Sequence, residues 1–262
     1  MASRSAPNLV FPPKGEPLIS FRGVNKTYNG KPVLRGIDLE IRCGETLVLL
    51  GRSGEGKSVL TSMLVGLETP DAGSITLNGV ELTKLRNEAE WNRLRLQIGY
   101  LFQGSALYDF MTVGENIAFP LIHHTQLTPS QITQTVKEKL ALVGLKDVEE
   151  LEPSALSGGM QRRVALARTL ALEPHIIIYD EPTTGLDPIS SDGIAYLIRD
   201  LQKSLEVTSI LVTHDMRTAR LVADRVAMLS NGKIVFVGSC QELEACPNPE
   251  VKRFLSATPM MG

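Results

Sequence analysis

Three clusters in this chain have residue types and spacings that suit phosphate chemistry. Gly51–Ser58 reads GRSGEGKS and fits the pattern G-x-x-x-x-G-K-[ST]. Its glycines let main-chain N–H groups close around phosphate oxygens. Lys57 then reaches the β- and γ-phosphates, and the Ser58 hydroxyl is placed to ligate Mg²⁺. Ile176–Pro182 reads IIIYDEP. Its apolar run delivers Asp180 to hold the Mg²⁺ shell, followed by Glu181 to polarise water for attack on the γ-phosphate. Leu156–Pro174 begins LSGGM and continues as a helix with Val164, Leu166, Ala167 and Leu170 facing inward. Paired glycines are poor helix formers, so they imply close approach of this backbone to something, and free N–H groups at a helix start suit an anion. The chain therefore carries two phosphate-seeking helix starts about a hundred residues apart.

Chemistry of this kind needs strands that end where helices begin. Glu45–Gly51 is a continuous apolar strand of the kind buried in a parallel sheet, and a helix from Lys57 to about Leu67 follows it. Leu18–Tyr28 and Lys31–Arg42 are strand-like, with an Asn29-Gly30 hairpin signal between them. Gly73–Gly79 and Ile98–Gln103 are further short strands. From about Gly104 to Glu173 the pattern turns helical; Ile132, Val136, Leu140 and Val143 share one helix face. Strands return at Ile176–Glu181, Thr208–Thr213, Arg225–Ser230 and Lys233–Gly238. Helices near Ser190–Ser204 and Met216–Ala223 separate the first three, and Asn231-Gly232 folds the last two into a hairpin. The class is α/β: a P-loop core, an antiparallel β edge and a helical insertion. The expected division is a flexible lead-in over 1–17, a domain over 18–240 with a helical subdomain at about 104–173, and a helical tail over 241–262.

Composition excludes some functions. The net charge of −2 offers no general footprint for nucleic acid. The longest apolar runs are too short to cross a bilayer, and the first residues lack a signal-peptide core. Cys43, Cys240 and Cys246 have no metal spacing. A Cys240–Cys246 disulfide is open, but a reducing compartment is the simplest reading.

Taken together, these motifs resemble the ATP-binding cassette family, in particular the nucleotide-binding subunits of ABC transporters. The resemblance spans Leu18–Gly238 and includes LSGGM, Gln103 at a strand end, the GLD of Gly185–Asp187, and His214 after a strand. It implies a RecA-like sheet, ATP and Mg²⁺ as cofactors, and ATP hydrolysis. It also implies a head-to-tail homodimer in which each nucleotide lies between one copy's phosphate loop and the other's signature helix. Gly51, Arg52, Ser53, Gly54, Glu55, Gly56, Lys57, Ser58 and Val59 are then one half of a site, and Ser157, Gly158 and Gly159 the other. Tyr28 matches the aromatic that stacks on adenine; a strand-end tyrosine packed on the core is the alternative. Gln103 resembles the glutamine that contacts Mg²⁺ or the lytic water, and His214 the histidine that contacts the γ-phosphate. Asp187 resembles the acid that organises the dimer interface. No residue expected for hydrolysis is replaced, which opposes a purely regulatory nucleotide binder. The adjacent His123 and His124 match no metal pattern and read as a solvated helix end.

A closer resemblance is to the cassette of Mla/Mce lipid transporters. It rests on GKSVL, the run Phe102–Leu121, Met160 in the signature, and the tail beyond Gly238. It implies phospholipid transport at the cytoplasmic face of an inner membrane. The implied partners are two permease subunits, an Mce substrate-binding protein and, in some members, a STAS-domain protein. Gly104–Pro120 would form much of the permease groove. Phe110, Met111, Phe119 and Leu121 are candidate contacts, with one or two of them in the core. Val251, Phe254 and Leu255 give the tail an apolar face, either to clasp a neighbouring cassette or to pack on its own domain. The alternative function is a cassette for another cargo, such as an amino acid or a lipoprotein. A third reading, a soluble ABC protein of DNA repair or translation, conflicts with a single cassette lacking coiled coil. Direction of transport stays open.

Overall fold

The structure, a computed structural model, describes residues 11–257. Residues 1–10 of the expected lead-in and 258–262 of the expected tail lie outside the described residues. In chain order the elements begin with β1 (Pro17–Tyr28), β2 (Lys31–Arg42), β3 (Thr46–Leu50) and α1 (Lys57–Ser62). Next come β4 (Ala72–Leu77), β5 (Val80–Glu81), α2 (Glu88–Arg95) and β6 (Ile98–Leu101). The helical stretch holds α3 (Val113–His124), α4 (Pro129–Leu142) and α5 (Gly158–Thr169). The chain continues through β7 (Ile176–Asp180), α6 (Pro188–Leu205), β8 (Thr208–Thr213) and α7 (Met216–Val222). It closes with β9 (Arg225–Ser230), β10 (Lys233–Gly238), α8 (Cys240–Glu244) and α9 (Pro249–Ala257).

The strands form two sheets. One is antiparallel, in the order β2-β1-β4-β5. The other runs β10-β9-β3-β8-β7-β6, parallel throughout except for the β9–β10 hairpin. Apolar side chains alternate across this second sheet and fill two cores. Val48, Leu50, Ile177, Tyr179 and Leu211 face the helical side, with α3, α5 and α6. Leu47, Leu49, Ile176, Ile178 and Ile210 face α1 and the antiparallel sheet. A strand buried on both faces must be apolar at every position, which is why TLVLL and IIIY lack polar alternation.

Local signals set the ends of the elements. Asn29, Asn78 and Asn231 each adopt positive φ before a glycine, as two-residue hairpins require. Thr112 with Glu115, and Thr128 with Gln131, close capping boxes on α3 and α4. Asn116, fully buried on α3, accepts the Tyr108 N–H and donates to the carbonyls of Tyr108, Met111 and Thr112. The loop that presents Phe110, 81% exposed, is thereby fastened to the helix.

Several expectations change. Helix α2, capped by Asn87, was not expected, because its face is mostly charged and buries only Leu94. Leu121 is 2% exposed and belongs to the core, so it is no groove contact. His123 and His124 are exposed at the end of α3, as read. The three cysteines are free, so Cys240 and Cys246 are not bridged. From Phe11 the lead-in is held: its ring stacks on His175 at 4.3 Å, the Gly15 N–H donates to the Cys43 carbonyl just past β2, and the Cys43 N–H donates to the Glu16 carbonyl. Val251 and Phe254 of α9 are buried in their own domain's core, with Leu255 packed beside them. The tail's apolar face is consumed in cis.

Gly99 in β6 meets α5 closely; a Cβ there would lie 2.6 Å from Thr169 Cγ2 and 3.0 Å from Pro174 Cγ. Gly99→Ala should therefore overpack this contact and cost roughly 1–3 kcal/mol. Urea unfolding should show a lower midpoint with an unchanged slope.

Candidate active site

Parallel pairing brings the ends of β3, β8, β7 and β6 to one edge of the sheet. Ligands of open α/β sheets collect at this carboxyl edge. The edge carries the loop after β3, Asp180 at the end of β7, His214 just past β8 and Gln103 just past β6. A cleft of about 430 Å³ opens here, lined by Tyr28, Ser53, Gly54, Gly56, Lys57, Ser58, Val59, Gln103, Glu181 and His214, together with Val33 and Thr184. A smaller cavity, of about 360 Å³, lies around Phe11 and His175 at the opposite edge of the sheet, away from these groups.

The loop is built by close packing. Gly51 lies against the Leu229 carbonyl, where a Cβ would sit at 2.5 Å, and Gly56 adopts φ 97° as it enters α1. Lys57 is 5% exposed, and its ammonium donates to the carbonyls of Gly51 at 2.8 Å and Arg52 at 2.9 Å. It also lies 3.8 Å from Glu181 Oε1. Burial pushes its pKa down, opposed by the charges of Glu181, Asp180 and Glu55.

Ser58 Oγ donates to Asp180 Oδ1 at 3.0 Å, and the Tyr100 hydroxyl donates to Asp180 Oδ2 at 3.3 Å. Burial pushes the Asp180 carboxyl up, opposed by these two hydrogen bonds. One hydroxyl and one carboxylate suit Mg²⁺, which prefers a few hard oxygens completed by water and substrate phosphate. No group of three or more His, Cys, Asp or Glu among the described residues forms a metal cage. Glu181 sits at φ 49°, a left-handed conformation disfavoured for a side-chain residue. It is held there by its N–H to the Val212 carbonyl at 2.9 Å. Its carboxylate accepts from Thr184 Oγ1 at 2.9 Å and pairs with His214 Nδ1 at 3.0 Å.

Not every residue picked from sequence enters the cleft. Ser157, Gly158 and Gly159 are absent from its lining. Ser157 is the exposed N-cap of α5 and accepts the Met160 N–H at 3.3 Å. Asp187 is exposed and caps α6, accepting the N–H groups of Ile189 and Ser190. Its hydrogen bonds from Ser190 hold its carboxyl below the usual range. Arg52 and Glu55 belong to the loop but border a separate small cavity on its outer side. Tyr28 is 36% exposed at the end of β1, on the cleft rather than in the core; burial and Glu68 push its hydroxyl to about 12. Sequence reasoning missed Thr184, Val33 and Tyr100. Tyr100 is hidden in an apolar strand, and only the pairing of β6 with β7 brings its hydroxyl to Asp180.

This geometry agrees with comparisons to known proteins. The family profile described as ABC transporter matches residues 34–184, more than half of the chain. The chain belongs to the ABC transporter family. It is 39% identical to the intermembrane phospholipid transport system ATP-binding protein MlaF of Escherichia coli K12, over 91% of this chain and 88% of that protein. It is also 39% identical to the probable ribonucleotide transport ATP-binding protein mkl of Mycobacterium leprae, over 91% of this chain and 68% of that protein. Among solved structures it resembles a dimeric post-hydrolysis state of the ATP-binding cassette MJ0796 bound to ADP and Pi. That likeness has a TM-score of 0.78 at 30% identity, covering 85% of this chain and 99% of the other. This ABC cassette is thus the ATP-binding subunit of a transporter and an ATPase. Cassettes of the family work as dimers with transmembrane permeases. Among the described residues no helix is long and apolar enough to cross a membrane.

The raised pKa of Asp180 has a consequence for stability. Its folded form takes up a proton more readily than its unfolded form, so the stability present at acid pH is lost as pH rises through the folded pKa. Asp180→Asn should therefore raise the melting temperature of the nucleotide-free ABC cassette at neutral pH by a few degrees, on the order of 2–4 °C. The difference should shrink as pH falls toward about 4, as the carboxyl is increasingly protonated in both states. Thermal scans across that range check both points.

Proposed function

We propose that this chain hydrolyses ATP at sites shared between two copies, and that the work moves phospholipid between membranes. One observation carries the shared site: Ser157, Gly158 and Gly159, at the exposed start of α5, lie outside the cleft that gathers Lys57, Glu181 and His214. A second copy that turns its α5 start toward this cleft supplies the missing donors. Main-chain N–H groups there, and the aligned peptide dipoles, favour an anion. Asp187, at the exposed start of α6, is the acid that orders the join between copies.

Within each site Tyr28 stacks on adenine. The main chain of Gly51–Val59 wraps the phosphates, and Lys57 offsets their charge. Ser58 and Asp180, with Gln103 on the same cleft, would hold Mg²⁺, which would supply further charge neutralisation at the phosphate oxygens. Glu181 takes the proton of a water as its oxygen attacks the γ-phosphorus; the bond to the β–γ bridging oxygen breaks and ADP carries away the electron pair. Thr184 and His214 hold the Glu181 carboxylate toward that water. Positioning and electrostatics are the main catalytic terms in such a step.

Phospholipid as cargo is supported by the similarity to MlaF, which reaches almost the whole of both chains. The exposed Phe110, with Met111 and Phe119 beside it, fits a surface for a permease at the cytoplasmic face of an inner membrane. An Mce protein and a STAS-domain protein are the further partners this reading brings. The equal identity to mkl keeps a second reading in view, a cassette for another cargo.

Glu181→Gln should lower turnover by about 100-fold or more while ATP binding persists and the dimer becomes stable on size exclusion. Normal turnover would remove Glu181 from its role. Ser157→Arg chains mixed with Lys57→Ala chains should restore one composite site per mixed dimer; ATP binding no better than either variant alone would sink the shared site. For cargo, the cassette purified with its permease should transfer fluorescent phospholipid between vesicles when ATP is present. ATP-driven uptake of ribonucleotide with no lipid transfer would favour the second reading.

A further inference from the structure

Arg52 and Glu55 are the two residues of the phosphate loop whose side chains border its outer side. They share a cavity of about 80 Å³ with Asn231, Glu250 and Arg253. The Glu55 carboxylate accepts the main-chain N–H of Asn231 at the β9–β10 tip. The Asn231 amide in turn donates to Glu250 Oε1 at 3.3 Å, in the first turn of α9. Arg52 donates to the carbonyl of Arg253, also on α9, at 3.4 Å. Two routes therefore join the outer arm of the loop to the C-terminal helix.

Both anchors are firm. Helix α9 is seated by Val251 and Phe254, 0% and 4% exposed. The hairpin tip is pressed on β2: a Cβ on Gly232 would lie 2.5 Å from the Val33 carbonyl, and the Arg35 N–H donates to Gly232 at 2.8 Å. On the loop's inner side, the same Arg52 carries the carbonyl that receives the Lys57 ammonium. A shift of the outer arm thus reaches the cation facing the cleft within a single residue. The Oε2 atom of Glu250 is buried without a hydrogen-bond partner among the described residues. A carboxylate kept in that state costs stability, which a purely structural helix end would not need.

We propose that α9 sets the affinity of the phosphate loop for nucleotide, with Glu250 and Asn231 as positioning residues acting through Glu55. The inference rests on the reading of the cleft as the ATP site. A loop held in its binding shape pays its ordering cost during folding; a loop set free pays it when ligand arrives. The effect belongs to binding. None of the relay's hydrogen bonds runs to Asp180, Glu181 or His214, which serve the chemical step.

The experiment measures nucleotide Kd with a fluorescent ATP analogue, and KM and kcat for ATP, on the full chain. Glu250→Ala should raise Kd and KM by about fivefold, the loss of one ordinary hydrogen bond, with kcat at saturating ATP within about twofold. Glu250→Gln, which keeps an acceptor for Asn231, should restore Kd. Asn231→Gly tolerates the positive φ of the turn and keeps the N–H to Glu55 but removes the link to Glu250. It should match Glu250→Ala, and the double variant should be no weaker than either single one. Unchanged Kd in Glu250→Ala, or a lower melting temperature with Kd unmoved, overturns the proposal. So do additive effects in the double variant. Lys57→Ala is the control for the underlying reading: if it binds nucleotide as well as the parent, the cleft itself is misassigned. If it fails while Glu250→Ala binds normally, only the relay falls.

Discussion

A buried ammonium constrains everything around it. Lys57 is removed from water at the start of a helix, where the dipole also disfavours a cation. Such a charge stays ionised only when acceptors and opposite charges surround it. Two carbonyls of its own loop and the carboxylates of Glu181 and Asp180 meet that need. Each of these acids is itself partly withdrawn from solvent. The cleft is consequently a set of charges that compensate one another only in part, its carboxylates outnumbering its one buried ammonium.

The six-stranded sheet makes that concentration of charge tolerable. Its strands bury apolar side chains on both faces, so the polar groups are pushed to the strand ends. Crossovers through α1, α6 and α7 keep β3, β7 and β8 parallel, and their carboxyl ends coincide. Asp180 and Thr213 lie one register step apart across β7 and β8, which brings Glu181 within reach of His214. The antiparallel sheet has a different part: it carries Tyr28 to the lip of the cleft and backs the loop with Val33.

Much of this was legible from residue order. The strands Lys31–Arg42, Thr208–Thr213, Arg225–Ser230 and Lys233–Gly238 have the expected bounds, because turn asparagine-glycine pairs and polar breaks mark them clearly. The phosphate loop and the Asp180–Glu181 pair were legible because their chemistry is local in sequence. Tyr100 and Thr184 were not, since each acts through a partner brought near by strand pairing or a turn. Helix α2 escaped because its charged face leaves little apolar period to read. The outward aim of Arg52 and Glu55 escaped for another reason: a loop motif specifies its main chain, while the direction of its variable side chains depends on what packs outside it.

Asn116 has a mechanical meaning. Four hydrogen bonds from one wholly buried amide leave the segment around Tyr108–Thr112 little compliance of its own. Load borne by the protruding ring of Phe110 is therefore not dissipated in a soft spring. It passes to α3, and through the packing of α3 on α5 to the rod that carries Ser157 at its tip. The segment behaves as the short arm of a lever, stiff enough for a small displacement at one end to arrive as torque at the other.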